Sequence, residues 1–92
     1  MDAKERNKAK ARANKALAAL EIYTADFSAW IGKVKAIMQA AGFTVELDGM
    51  FFGENSRCDE PAIEADGKTK IDLHISWYKM PSGRYEMQAY LS

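Results

Sequence analysis

The chain has 92 residues, 48% of them apolar and 28% charged, with thirteen bases balanced by thirteen acids. That length allows one domain with a thin stability margin. The composition is that of a soluble globular protein and excludes a disordered, collagenous or membrane-spanning class.

Residues 1–20 show no signal-peptide type of apolar run, and no apolar stretch reaches membrane length, so a cytoplasmic location is expected. The single Cys58 agrees, because a disulfide framework needs pairs. The zero net charge hides an asymmetry. Residues 1–16 carry six bases against two acids, and the remainder carries seven against eleven. The chain therefore reads as an acidic body with a basic arm, although any solvated helix rich in Lys, Arg and Ala has this look.

Residues 3–41 contain no proline and only Gly32, and they are rich in Ala, Lys, Leu and Met, which favour helix. Leu17, Leu20, Phe27, Ile31, Val34, Met38 and Ala41 keep a three-four spacing, with Tyr23, Trp30 and Ile37 widening the stripe. Gly42 fits the left-handed position that commonly ends a helix. A continuous helix would be about 58 Å long, far beyond a body with a radius of gyration of about 12 Å. Either residues 1–16 project or fray, or the helix breaks near Tyr23–Phe27 with Thr24 or Asp26 capping a second one. The apolar phase holds through residue 24, which favours a continuous helix with a loose start.

After Gly42 the period becomes two. Phe43, Val45 and Leu47 share one side, Asp48-Gly49 is a turn signal, and Met50–Phe52 suit a short return strand. Residues 53–61 are polar and read as a loop. Residues 62–79 read as a hairpin whose three-residue loop, Ala65 to Gly67, pairs Glu64 with Lys68 and Ile63 with Thr69. The alternative register, Ile63 opposite Lys70, would turn Ile63 to the polar side. A second hairpin turns at Pro81-Ser82-Gly83. Its register pairs Trp77 with Met87, Ile75 with Ala89 and Leu73 with Leu91 inward. Outward it pairs Tyr78 with Glu86, Ser76 with Gln88 and His74 with Tyr90. Turn chemistry and apolar pattern agree there.

The predicted fold is α+β: one long N-terminal helix on a three- to four-stranded antiparallel sheet, an α-β-β-β meander in a single domain, 1–92. Residues 1–16 form a basic helical arm, 17–41 the core helix and 42–92 the sheet. The expected core sets Phe27, Ile31, Val34 and Met38 against Val45, Leu47, Ile71, Leu73, Ile75, Trp77, Met87 and Leu91.

No chemical motif stands out. Cys58 and His74 are a thiol and a base, but catalysis needs them in contact, and Asp59 and Glu60 beside the thiol raise its pKa. One His and one Cys do not make a zinc site. Asp72 and Glu86 are ordinary solvated sheet carboxylates, and no glycine loop for phosphate is present. The sequence thus implies no enzyme, no cofactor and no metal.

Three surfaces remain. The open sheet face presents Asp72, His74, Ser76, Tyr78, Arg84, Glu86, Gln88 and Tyr90, and Tyr and Arg are enriched where interfaces concentrate their energy. Asp72, His74, Tyr78, Arg84, Glu86 and Tyr90 are the expected contacts to a protein partner. Along the arm, Lys4, Lys8, Arg12 and Lys15 share one helix face that could track phosphates, making nucleic acid the alternative partner. Leu17, Leu20 and Tyr23 lie ahead of the sheet and need cover, from a second copy in a homodimer or from a broken helix that folds them back.

In size, α+β layout and lack of motif the chain resembles the small accessory proteins of bacteriophages and mobile elements, including inhibitors of bacterial defence such as anti-CRISPR proteins. The resemblance is one of class, covers no aligned residues and transfers no site. It implies a non-enzymatic protein that acts by occupying a partner's surface.

Overall fold

The computed structural model describes residues 1–47 and 55–92. Two helices, not one, precede the sheet: α1 (Ala3–Ala18) and α2 (Phe27–Ala40). Between them lies a two-residue strand, β1 (Tyr23–Thr24). Three longer strands follow: β2 (Asn55–Ile63), β3 (Lys70–Lys79) and β4 (Tyr85–Leu91). All pairings are antiparallel, in the order β1-β4-β3-β2.

The continuous helix is corrected by its own termini. Asp26 caps α2 by accepting the Ala29 N–H at 3.0 Å, and the Thr24 hydroxyl braces Asp26 from both its N–H and its C=O. The connector is held from two sides. The Trp30 indole donates to the Glu21 carbonyl at 2.7 Å, and the Met87 N–H donates to the Ile22 carbonyl at 2.6 Å. The protein measures 44 Å along its longest axis, too short for the uninterrupted helix of about 58 Å. Breaking the helix also buries what it would have stranded. Leu17 is 4% exposed and Leu20 packs on the core, so neither is left uncovered for a second copy; Tyr23 remains exposed at the sheet edge.

The arm does not fray or project. Asp2 caps α1 through the Glu5 N–H at 2.8 Å, and Ala9, Ala13 and Leu17 bury its inner face. Two clasps fix it to the sheet. The Asn14 side chain donates to the Leu91 carbonyl at 3.0 Å and accepts the Leu91 N–H at 2.7 Å, pairing with the edge of β4 beyond the short β1. Glu64, the one buried charged residue among those described, takes the terminal ammonium of Met1 at 2.9 Å and the Arg6 guanidinium. Arg6 first, then the ammonium, holds the Glu64 carboxyl below its ordinary value. A carboxylate buried here is tolerated because both oxygens are matched by cations.

Helix α2 ends as its sequence predicts. Gly42 sits at φ 94°, its N–H donates to Gln39, and the Phe43 N–H reaches back to Met38 at 2.9 Å. Phe43, Val45 and Leu47 are then buried in alternation, but only Thr44 pairs with the sheet, through a bridge to Ile63. Met50–Phe52, read as a return strand, lie outside the described residues.

The β3–β4 hairpin has the expected register throughout, with Gly83 at φ 89°. The β2–β3 hairpin does not. Residues 55–61, read as loop, form most of β2, and Ile63 pairs with Lys70 rather than Thr69. The Asp66 carboxylate sets this register. It accepts the N–H groups of Lys68 and Thr69, both at 2.8 Å, and the Thr69 hydroxyl at 2.6 Å. The loop is thereby four residues long, closed by Glu64 N–H to Thr69 C=O at 2.8 Å. Ala62 takes the fully buried place opposite Ile71, while Ile63 is half-buried beside Thr44.

Both helices cover one face of the sheet. The core runs from Ala9, Ala13 and Leu17 through Phe27, Trp30, Ile31, Val34 and Met38 to Leu73, Ile75, Trp77, Met87 and Leu91. Ile71, expected inside, is half-buried at its margin. Phe27 anchors the start of α2, meeting Trp77 and Tyr85 edge-on with ring centres 5.1 Å away in each case.

Candidate functional site

No described helix lies on the other face of the sheet, and the alternation of β3 and β4 decides what it carries. Even-numbered positions from Asp72 to Tyr78 and from Glu86 to Tyr90 point away from the helices, because successive strand residues alternate sides. β2 adds Asn55, Arg57 and Asp59, which pair with Tyr78, Ser76 and His74. Tyr23 of β1 pairs with Glu86.

The structure gathers the expected residues into two groups. At one end Tyr90 lies against His74, ring centres 4.7 Å apart. At the other, Tyr78 and Tyr23 flank Glu86. Tyr78 and Tyr90 are about half exposed, at 48% and 50%. Asp72 lies exposed at the far end of β3, where its carbonyl accepts the Ser92 N–H. Arg84 is exposed at the mouth of the second turn, outside both groups. Between the groups the face is dished. A hollow of about 510 Å³ is bordered by Ile22, Arg57, Tyr78, Glu86 and Gln88, and one of about 230 Å³ lies between Asp59, His74 and Tyr90.

His74 is held more firmly than its sequence suggests. Its Nδ1 lies 2.5 Å from Asp59 Oδ1 and its Nε2 lies 2.6 Å from Ser92 Oγ. The hydrogen bond to His74 draws the Asp59 carboxyl below its ordinary value. An ionised carboxylate can only accept, so His74 Nδ1 is the donor to Asp59, while Nε2 is paired with the Ser92 hydroxyl. The order of groups is that of a hydroxyl-activating relay. Its setting is different, because such a relay works in a water-excluded pocket, and here the Asp59 side chain is 52% exposed and Ser92 lies on the surface. Its physical effect is to fix the imidazole, and with it the Tyr90 ring tilted against it at 32°, in one orientation.

The thiol and the imidazole are not brought together. Cys58 pairs with Ile75 and packs on the core, whereas His74 and Asp59 occupy the opposite side of the sheet. Burial pushes the Cys58 thiol up, with Glu60 and Asp59 adding to the effect. Among the described residues no set of three or more His, Cys, Asp or Glu is placed to hold a metal ion, and no helix is long and apolar enough to cross a membrane.

Arg57 and Asp59 escaped the sequence reading because residues 55–61 do not look like a strand; Ser92 escaped it because it lies just past the last paired residue of β4, where its N–H continues the β3–β4 pairing to the Asp72 carbonyl. The covered face of β2 carries Ser56, Cys58 and Glu60, small or polar residues at the margin of the sheet, and Pro61 interrupts the run. The available signal was the outward pattern Arg57-x-Asp59, which falls opposite Ser76 and His74 once Ile63 is paired with Lys70.

The cations of the arm are ordered. Lys4, Lys8, Arg12 and Lys15 are all exposed on α1, on the side away from Ala9, Ala13 and Leu17. Neither a known protein family, nor a curated protein, nor a solved structure matches this chain.

Proposed function

We propose that this chain is a small binding protein that acts by occupying a surface of a protein partner with its open sheet face. The observation that carries this reading is the pair of half-exposed tyrosines, Tyr78 and Tyr90, on a sheet face that no described helix covers. An aromatic side chain that is already ordered loses little freedom on binding. Tyr90 packs against a His74 that is itself tied at both nitrogens. The charges of the face also support a protein partner. Arg57, Lys70 and Arg84 are matched by Asp59, Asp72 and Glu86, so the surface offers paired recognition rather than a field of one sign. In size and plan this agrees with the class of phage-encoded inhibitors that act by covering a surface of a bacterial defence protein.

The test is capture with a tagged chain from a bacterial lysate, run beside the Tyr78→Ala/Tyr90→Ala variant. Both substitutions are at half-exposed positions and should leave the circular dichroism and melting temperature nearly unchanged. A protein retained by the parent chain and released by the variant meets the expectation. Equal retention by both removes the open face as the binding surface.

A further inference from the structure

The two helices and the rest of the sequence carry opposite charge. Within α1 and α2 there are eight bases and one acid. The remaining residues hold five bases and twelve acids. The net charge of zero is thus +7 on the residues of the two helices set against −7 on the remainder of the sequence.

The cations of α1 divide by partner. Arg6 is engaged by Glu64, and Lys10 is half-buried on the flank. Lys4, Lys8, Arg12 and Lys15 are different. Among the described residues none of the four forms an ion pair, and all point away from the sheet. Spacings of four, four and three keep them in one row about 16 Å long. The row is rigid, because the Asp2 cap, the Arg6–Glu64 pair and the Asn14–Leu91 clasp fix both halves of the helix.

We propose that this outer face of α1 docks on the phosphate backbone of double-stranded nucleic acid. It is a surface separate from the sheet face, and it stands independently of the function proposed for that face. Charge complementarity supplies the attraction. A duplex carries one negative charge per about 1.7 Å of axis, so about ten pass beneath a row of this length, more than enough to meet four cations. The acidic remainder supplies the orientation, since an approach by the sheet brings the carboxylates of its strands and turns toward phosphates, whereas α1 has Glu5 as its one acid. Two absences on the row narrow the partner. It has no aromatic residue on which the bases of a single strand could stack. Its neighbours Asn7, Ala11 and Ala18 offer no large apolar group to enter a lipid interface.

The prediction is quantitative. Four phosphate contacts give a slope of about −3.6 in a plot of log affinity against log salt, or about a hundredfold loss between about 50 and about 200 mM. The experiment is fluorescence anisotropy of the full chain with short DNA and RNA duplexes, the matching single strand, and a co-sedimentation arm with phosphatidylserine vesicles. Duplex binding with that slope is expected, and preference between the two duplexes identifies which nucleic acid is read. Each single Lys or Arg to Gln change in the row should reduce the slope by about 1. The fourfold Lys4→Gln, Lys8→Gln, Arg12→Gln, Lys15→Gln chain should lose binding at least tenfold and keep its helical circular dichroism, since Gln is a good helix former. Tyr78→Ala/Tyr90→Ala should leave duplex affinity as it is. The proposal is overturned by absence of duplex binding at low salt, by an unchanged slope in the fourfold variant, or by single strands or vesicles binding as tightly as duplexes.

Discussion

The two tryptophans are buried alike and bonded differently, which permits a controlled comparison. Trp30 is 3% exposed and Trp77 is 5% exposed. Changing either to Phe removes the same atoms from a similar environment, so lost burial and residual cavity cancel to first order. What does not cancel is the indole N–H. In Trp30 it donates to the Glu21 carbonyl at 2.7 Å, and in Trp77 it is buried without a hydrogen-bond partner among the described residues. Trp30→Phe therefore loses a bond of about 1 kcal/mol net, whereas Trp77→Phe removes an unsatisfied donor that costs the native state about 1–3 kcal/mol. The two variants should differ by about 2–4 kcal/mol, with Trp77→Phe the more stable. In a domain of this size the gap in melting temperature is at least about 8 °C. Urea unfolding followed by far-ultraviolet circular dichroism measures it, and each variant keeps one tryptophan as a fluorescent check. Equal midpoints, or a milder effect at Trp30, would refute the assignment of hydrogen-bond states to the two rings.

Further expectations concern the clasps, the acid limb and the thiol. Asn14→Ala removes both bonds to Leu91 and should cost about 2 kcal/mol in urea unfolding. Asn14→Asp can still accept the Leu91 N–H but sets a carboxylate against its carbonyl, so at neutral pH it should be no better than alanine. Asp66 is held at about 2 by the Thr69 hydroxyl and the N–H groups of Lys68 and Thr69. A carboxyl lowered on folding contributes stability above its unfolded value of about 3.9 and loses it as pH falls through the folded value. Melting temperature should therefore drop between about pH 4 and pH 2, and Asp66→Asn should flatten that limb. A parallel limb in the variant would contradict this. The Cys58 thiol, raised by burial and by Glu60 and Asp59, should react with iodoacetamide at neutral pH far more slowly in the native chain than in urea. Equal rates would show that it is neither buried nor repelled.

The parts of the fold legible in the sequence are those where two independent signals coincide. For β3 and β4 the Pro-Ser-Gly turn and the alternation of Leu73, Ile75 and Trp77 against Met87 and Leu91 select one register, and the structure has it. The helix break and the first hairpin were misread for a common reason: a polar side chain overrode an apolar pattern. Asp26 starts a new helix where the three-four spacing still runs on. Asp66 builds a four-residue loop where burial of Ile63 argued for three. Glu64 then turns inward, which no apolar pattern anticipates, because its cations arrive from the other end of the sequence. The outward residues of β3 and β4 were legible from alternation alone. Asp59, which holds His74 Nδ1, was not, since its role depends on a strand whose covered side is barely apolar, and Ser92, at Nε2, lies beyond the alternation of β4.

The Asn14–Leu91 clasp joins residues 77 positions apart, and the Arg6–Glu64 pair joins residues 58 apart. Helix α1 is thus docked by a strand, β4, that follows every other described element in the sequence. During synthesis α1 has good intrinsic propensity but no surface to settle on until β4 has paired with β3. Long-range closures of this kind slow folding, because loop entropy is lost before the contacts return it. The chain should therefore fold in one late step, and fragments that stop short of β4 should leave α1 undocked, its small apolar face in water and its cationic row on a helix that is no longer fixed.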